Sequence, residues 1–188
     1  MAQRTNGREQ LSRQDWLDAA LRTVRSTGVS GLKVQELAAS LGSTTGSLYW
    51  HFENRGELVR ALVTHWGTRS TEEIANSIEA SGDSPEMRLL SLMRLVFGND
   101  ATRSDLAIRA WATLDRRALR TVKAVDARRA EVVGGLFREM GFDEVEATMR
   151  TRVILCYESC ERHVFATLSK AERERTLLAR HRMLCTRP

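Results

Sequence analysis

Lys33 to Leu58 read KVQELAASLGSTTGSLYWHFENRGEL. Val34, Leu37, Ala38 and Leu41 recur at i, i+3, i+4 and i+7, which gives a short helix one apolar face. Gly42 follows where a helix needs a left-handed C-terminal residue. Thr44 is placed to cap a second helix, with Ser47 three residues on, and Leu48 and Phe52 can anchor that helix to the first. Asn54 and Glu57 then form a capping-box pattern that opens a third helix. Two short helices joined by a Gly turn make a helix-turn-helix, and the second has the size to enter a DNA major groove. Small residues at its N-terminal end, Gly46 and Ser47, permit close approach to base edges.

Working outward, Ser12 to Thr27 predicts a helix stopped by Gly28, with Leu17, Ala20, Leu21 and Val24 as its buried stripe. With the run Gly46-Ser47-Leu48-Tyr49-Trp50-His51-Phe52, then Arg55 and Glu57-Leu58, this stretch resembles the DNA-binding part of the TetR family of transcriptional regulators. The resemblance covers roughly residues 10–66 closely, and the remainder through length and an all-helical pattern. It implies that Tyr49 and His51 contact phosphate and that Thr45, Ser47 and Trp50 sit nearest the bases, with Lys33, Gln35, Thr44, Gly46 and Arg55 completing the DNA face. Trp50 is equally suited to packing between helices.

The chain departs from the family pattern in places. Lys33 stands where Thr or Ser is usual, so it offers phosphate a point charge and no cap. Thr45 is neutral where Lys is frequent, Arg55 replaces a usual Lys and keeps its charge, and Gly56 stands where a helix former is common. The DNA-binding reading survives these changes; the operator sequence does not follow.

At 188 residues, with two prolines and few β-branched or aromatic runs, the chain predicts an all-α protein of about nine helices and no strand. The expected division is a disordered arm over 1–11, a helix-turn-helix domain over 12–58, and a helical effector-binding and dimerisation domain over 59–188. For the arm, which carries Arg4 and Arg8, a frayed terminus is preferred over insertion into the minor groove. No apolar stretch reaches the ~20 residues of a membrane span, and Met1 to Gln10 lacks an apolar core, so a cytoplasmic protein without membrane contact is expected.

The formal charge is +5. Residues 1–60 hold eight basic against six acidic side chains and residues 104–188 hold seventeen against twelve, so the excess does not mark the DNA-binding end. Lysine occurs only at 33, 123 and 170, an arginine bias that fits a GC-rich bacterial genome. Three cysteines make no disulfide framework; Cys156 and Cys160 are expected as small buried apolar residues in preference to a redox pair. The four His are scattered, no nucleophile–base spacing or phosphate loop occurs, and neither an enzyme, a cofactor nor a metal is expected.

A long helix is expected from Asn54 to about Ala80, carrying Leu58, Leu62, Trp66, Ile74 and Ile78, with Gly67 as its weak point. Ser84 and Pro85 start a fifth helix that runs to about Gly98. Asn99 to Arg103 then read as a loop, and Ser104 caps a sixth helix. The seventh spans about Arg116 to Met140. Capping boxes at Asp143/Glu146 and Ser169/Glu172 open an eighth, to about Leu168, and a ninth, to near Cys185.

The eighth helix has one apolar stripe at Val145, Met149, Val153, Cys156, Cys160 and Val164, and another at Ile154, Tyr157, Phe165 and Leu168. One can pack inward and the other against a second copy. The resemblance implies a homodimer through the eighth and ninth helices, with Leu177, Leu178 and Leu184 contributing. It also implies a small apolar or amphipathic effector held among the fourth to eighth helices. Trp66, Met87, Met93, Phe97, Trp111 and Tyr157 are the candidates, each weighed against ordinary core packing. Arg109 and Asp126 are expected as a buried ion pair.

The reading is thus a ligand-released homodimeric repressor on a pseudo-palindromic operator. The alternatives are a helical interaction protein, or an activator of the same kind without a small-molecule effector.

Overall fold

The first helix, α1 (Arg13–Thr27), begins at a reciprocal cap: Asp15 N–H donates to Ser12 Oγ and Ser12 N–H to an Asp15 carboxylate oxygen. The Ser12 hydroxyl, donating to the same carboxylate at 2.6 Å, and the Ser12 N–H hold the Asp15 carboxyl below its usual pKa range. The computed structural model describes residues 11–98, 101–164 and 168–187, without the side chains of 97, 98, 101–103, 162 and 163. Residues 1–10, Asn99, Asp100, the Phe97 side chain and Phe165 lie outside the described residues.

Gly28 ends α1 at φ 71° and Gly42 ends the next turn at φ 59°, left-handed conformations that an L side chain adopts only with strain. Between and after them lie α2 (Val34–Ser40) and α3 (Thr45–Tyr49). Lys33 makes no side-chain cap on α2, while Thr44 accepts from Ser47 N–H at 3.2 Å. At the start of α4 (Arg55–Gly67), Asn54 accepts from Glu57 N–H at 2.9 Å. Glu57 reaches back to Glu53 N–H at 2.6 Å, one residue earlier than the expected box.

The expected long helix is present as a rod with a defect. After α4 comes a π-turn (Thr68–Glu72) and then α5 (Glu73–Glu79). The defect begins at Gly67, where a Cβ would lie 2.7 Å from Val125 Cγ2, so two helices touch backbone to side chain there. Ser70 Oγ donates to Trp66 C=O at 2.6 Å; a hydroxyl bonded back to the i−4 carbonyl suits a locally widened turn.

There follow α6 (Pro85–Gly98), α7 (Ala101–Ala112), α8 (Arg116–Glu139), α9 (Glu144–Val164) and α10 (Lys170–Cys185). Counting α4, the π-turn and α5 as one rod, the described residues form nine helical rods and no strand. One expectation needs correction. Ser104 caps nothing: α7 already runs from Ala101, and Ser104 is buried within it, accepting from Arg25 Nε at 2.9 Å.

Two apolar cores lie along the molecule. The first gathers Trp16, Leu21 and Val24 of α1, Leu37 of α2, Leu48 of α3 and Leu58 to Trp66 of α4. It is closed by Ile108 of α7 and Ala118, Val122 and Val125 of α8. The second gathers Leu89 and Met93 of α6, Val133, Leu136 and Phe137 of α8, Ile154 of α9 and Leu177 and Leu184 of α10. Helix α8, at ~1.5 Å per residue, is long enough to serve both. No described helix is long and apolar enough to cross a membrane.

Because Val125 is β-branched and stiff, Gly67→Ala should destabilise the protein although alanine is the better helix former. The expected loss is about 1–2 kcal/mol in urea unfolding. Val125→Ala in the same chain should recover part of it, a coupling that a double-mutant cycle reads directly.

Candidate nucleic-acid interface and adjoining cavity

Helix α3 is held on its inner side by Leu48 and by Phe52 just beyond it, both buried. That leaves its outer side to the expected residues. Lys33, Gln35, Thr44, Gly46, Tyr49 and Trp50 are exposed, and Thr45 and Ser47 are half-buried. Trp50 is 85% exposed, which removes packing between helices as its role. A Cβ on Gly46 would meet only Thr44 Oγ1, at 3.6 Å, so nothing inside the protein demands glycine there. Lys33 is paired with Glu36 at 2.8 Å, both well exposed, a bond worth little in water and readily exchanged for phosphate.

Two of the expected DNA residues also have contacts within the fold. Arg55 donates to Leu32 C=O at 2.9 Å and to Val29 C=O at 2.7 Å, tying the start of α4 to the turn between α1 and α2. Val29 C=O also accepts from Leu32 N–H at 3.2 Å, and the guanidinium fork adds a donor to each carbonyl. His51 is half-buried, its ring 6.4 Å from that of Phe52, and its Nε2 is enclosed without a hydrogen-bond partner among the described residues. Both positions shape the recognition element from behind.

Between the two cores lies a polar network that spacing alone foretold only in part. The expected Arg109–Asp126 pair is present at 2.7 and 2.5 Å; the Asp126 bond and the nearby Asp105 charge raise the Arg109 pKa further. Its centre, however, is Asp105, which is 5% exposed. Asp105 accepts from Arg129 at 2.9 and 3.1 Å, from Arg109 at 3.2 Å and from the Trp66 indole N–H at 3.2 Å. Arg129 continues to Thr71 and Ser70 of the π-turn, each at 3.0 Å, and lies 5.2 Å from the Trp66 ring centroid.

Against this network sits a largely apolar cavity of about 80 Å³. Ile74, Ala75, Leu92, Val96, Val132 and Ile154 form its apolar wall, and Ser70, Thr71, Asp105 and Arg129 stand at its polar end. None of the expected effector residues with a described side chain lines it, though Trp66 lines a neighbouring open cleft. Met93 is buried in the second core, Met87 is half exposed, Trp111 packs on the first core, and Tyr157 bonds Glu161 at 3.0 Å beneath Arg180. Trp66 is fully buried and serves Asp105. Large aromatic and Met side chains filled space here, and the cavity formed where smaller branched residues meet.

On α9 the two apolar stripes separate as their spacing suggested. Ile154 is buried, while Val145, Met149, Val153 and Val164 are exposed. Cys156 and Cys160 are exposed on that same outer side, contrary to the buried environment expected for them.

A family model of bacterial regulatory proteins, tetR family, matches residues 17–62. The HTH-type transcriptional regulator AcrR of Shigella flexneri is 41% identical over 58 residues, 31% of this chain and 27% of that protein. The tetracycline repressor protein class D of Escherichia coli is 36% identical over 74 residues, 39% of this chain and 33% of that protein. The shared stretch therefore spans a third or less of these relatives. The fold match is longer. A TetR transcriptional regulator from Legionella pneumophila superposes with TM-score 0.76 at 12% identity over 93% of this chain and 95% of that one. AibR, solved with isovaleryl coenzyme A and operator DNA, does so with TM-score 0.69 at 21% identity over 91% and 96%.

The geometry separates contact residues from supporting ones. Tyr49→Ala and Gly46→Val should weaken binding to duplex DNA with unfolding free energy changed by no more than about 0.5 kcal/mol. Arg55→Ala should lower stability by about 1–2 kcal/mol, because it takes the guanidinium donors from the Leu32 and Val29 carbonyls, of which Val29 keeps the Leu32 N–H. Asp105→Ala should cost about 3–5 kcal/mol by leaving buried arginine charge unpaired. Retardation gels and urea unfolding on the same preparations check all four.

Proposed function

We propose that the chain is a TetR-like homodimeric transcriptional repressor released from its operator by a small ligand, a reading supported by the match of residues 17–62 to the tetR family model. The observation that carries this reading is the pairing of an outward-facing recognition helix with an internal cavity, joined by the α4 rod. The residues proposed to meet DNA are Lys33, Gln35, Thr44, Thr45, Gly46, Ser47, Tyr49 and Trp50, with His51 and Arg55 holding them in place.

Dimerisation follows from geometry of the target. One recognition helix reads only a few base pairs, and two must be set about one turn, ~34 Å, apart to read a palindrome. The exposed stripe of Val145, Met149, Val153 and Val164 on α9, with Leu178 and Met183 on α10, is an apolar surface in search of a partner. A second copy is the simplest occupant, since two-fold closure is the commonest assembly.

Release follows from the position of the cavity. Ser70, Thr71, Ile74 and Ala75, which line it, belong to the rod that continues α4 out of the DNA-binding part. A ligand favouring a different setting of that rod changes the spacing of the two recognition helices. A coupling of about 1–3 kcal/mol is enough for 5- to 150-fold relief. The relatives named above include a tetracycline repressor, and AibR was solved with both an acyl coenzyme A and its operator; both support a ligand-operated reading.

Selection from random duplex DNA with the purified protein should return a pseudo-palindrome. Val153→Arg should yield a monomer by sedimentation and lower affinity for that site at least a hundredfold while the fold persists by circular dichroism. An asymmetric site bound equally well by wild type and variant would defeat the dimeric reading.

A further inference from the structure

Two hollows of different chemistry share Ser70 and Ile74 in their linings. One is the apolar cavity of about 80 Å³ described above. The other is an open cleft of about 540 Å³ between α1, the end of α4, the π-turn, α5 and α7. Three arginines face the cleft: Arg22 and Arg25 from α1, and Arg69 from the π-turn.

Of the three, only Arg69 has a carboxylate partner among the described residues. Asp18 bonds His65 Nε2 at 2.8 Å, and Glu73 pairs with Arg69 at 3.5 Å. Arg25 donates its Nε to the neutral hydroxyl of Ser104 at 2.9 Å. Arg22 is exposed and has no hydrogen bond or ion pair among the described residues. Two guanidinium groups three residues apart on one helix face thus stand over the cleft without an anionic partner among the described residues. At the polar end of the cavity the balance is different: Asp105 already holds two arginines, and Glu158 holds Arg180 at 2.5 Å. No carboxylate is left there to favour a cationic ligand.

We infer that the two hollows together take a small anionic amphiphile. A short acyl or alkyl tail enters the cavity, and a phosphate or carboxylate head lies on Arg22 and Arg25. This rests on the ligand-released reading above and names its ligand class. The tail is short because the cavity is about half the ~150 Å³ that accommodates benzene in an engineered protein core. The head is anionic because planar guanidinium forks match phosphate and carboxylate oxygens two at a time. Such a ligand crosses from α1, in the DNA-binding part, past the π-turn to the second core, so binding it constrains both parts at once.

Isothermal titration of the full chain with n-butyl phosphate, n-butanol, n-butyltrimethylammonium and inorganic phosphate, at fixed ionic strength, tests this. Butyl phosphate should bind best, with inorganic phosphate and butanol each at least about tenfold weaker, a difference of 1.4 kcal/mol or more. Arg22→Gln removes no internal contact. It should weaken butyl phosphate about tenfold, leave butanol unchanged and leave thermal unfolding unchanged, while Arg22→Lys should retain part of the affinity. Sodium butyrate in place of butyl phosphate tells a carboxylate head from a phosphate head. Preference for the ammonium, indifference of butyl phosphate binding to Arg22→Gln, or binding of none of the probes would overturn the inference. Operator release by the neutral or cationic probe would overturn it too and leave the ligand-released regulator standing. Failure of the ligand-free protein to select any operator would instead remove the regulator reading itself.

Discussion

One buried carboxylate joins the two ends of this molecule. Asp105 has the α4 indole of Trp66, the α8 guanidinium of Arg129 and the α7 guanidinium of Arg109 on its two oxygens. A carboxylate removed from water loses several kcal/mol of solvation, and only a nearly complete set of donors offsets that loss. Here the donors come from three different helices, so the penalty is met only when α4, α7 and α8 are correctly docked. Apolar contacts alone would allow these helices to slide; a carboxylate with directed partners does not.

Helix α8 explains why the network sits where it does. Its N-terminal half gives Ala118, Val122 and Val125 to the first core, and its C-terminal half gives Val133, Leu136 and Phe137 to the second. Asp126 and Arg129 occupy the interval between. An uninterrupted apolar stripe would have fused the two cores into one stiff body. The polar interval leaves a boundary that is satisfied in its present arrangement but has groups able to exchange partners.

Much of this could be read from the chain because helix ends and the helix-turn-helix are local. Thr44, Asn54, Asp143 and Ser169 all cap the helices their spacing announced. Signals that depend on distant partners were less legible. Arg55 looked like a phosphate contact because its true partners, Val29 and Leu32 carbonyls, lie more than twenty residues away. Ser104 looked like a cap because nothing local reveals Arg25, 79 residues earlier. The cavity was sought among large flexible side chains, yet these fill space well; it opens beside Ile74, Val96 and Val132. The Arg109–Asp126 pair was visible as charge inside apolar helices, whereas Asp105, one turn before Arg109, needed the fold to bring Trp66 and Arg129 to it.

The π-turn completes the argument, because it sets the phase of the rod. In an uninterrupted α-helix Ile78 would point about 120° away from Trp66, twelve residues at about 100° each. A π-turn takes in roughly one extra residue and brings the two to within about 20°. That is why Trp66 can sit in the first core and Ile78 in the second along one rod. The turn is stabilised from outside: Ser70 satisfies the Trp66 carbonyl, and Arg129 holds Ser70 and Thr71 while it holds Asp105. Register along a helix changes by whole residues, so this element has discrete settings and no continuous range between them. A ligand of the proposed kind, touching Ser70, Thr71, Ile74 and Ala75, would therefore act on the one part of the rod whose setting decides how α4 and α5 face their two cores.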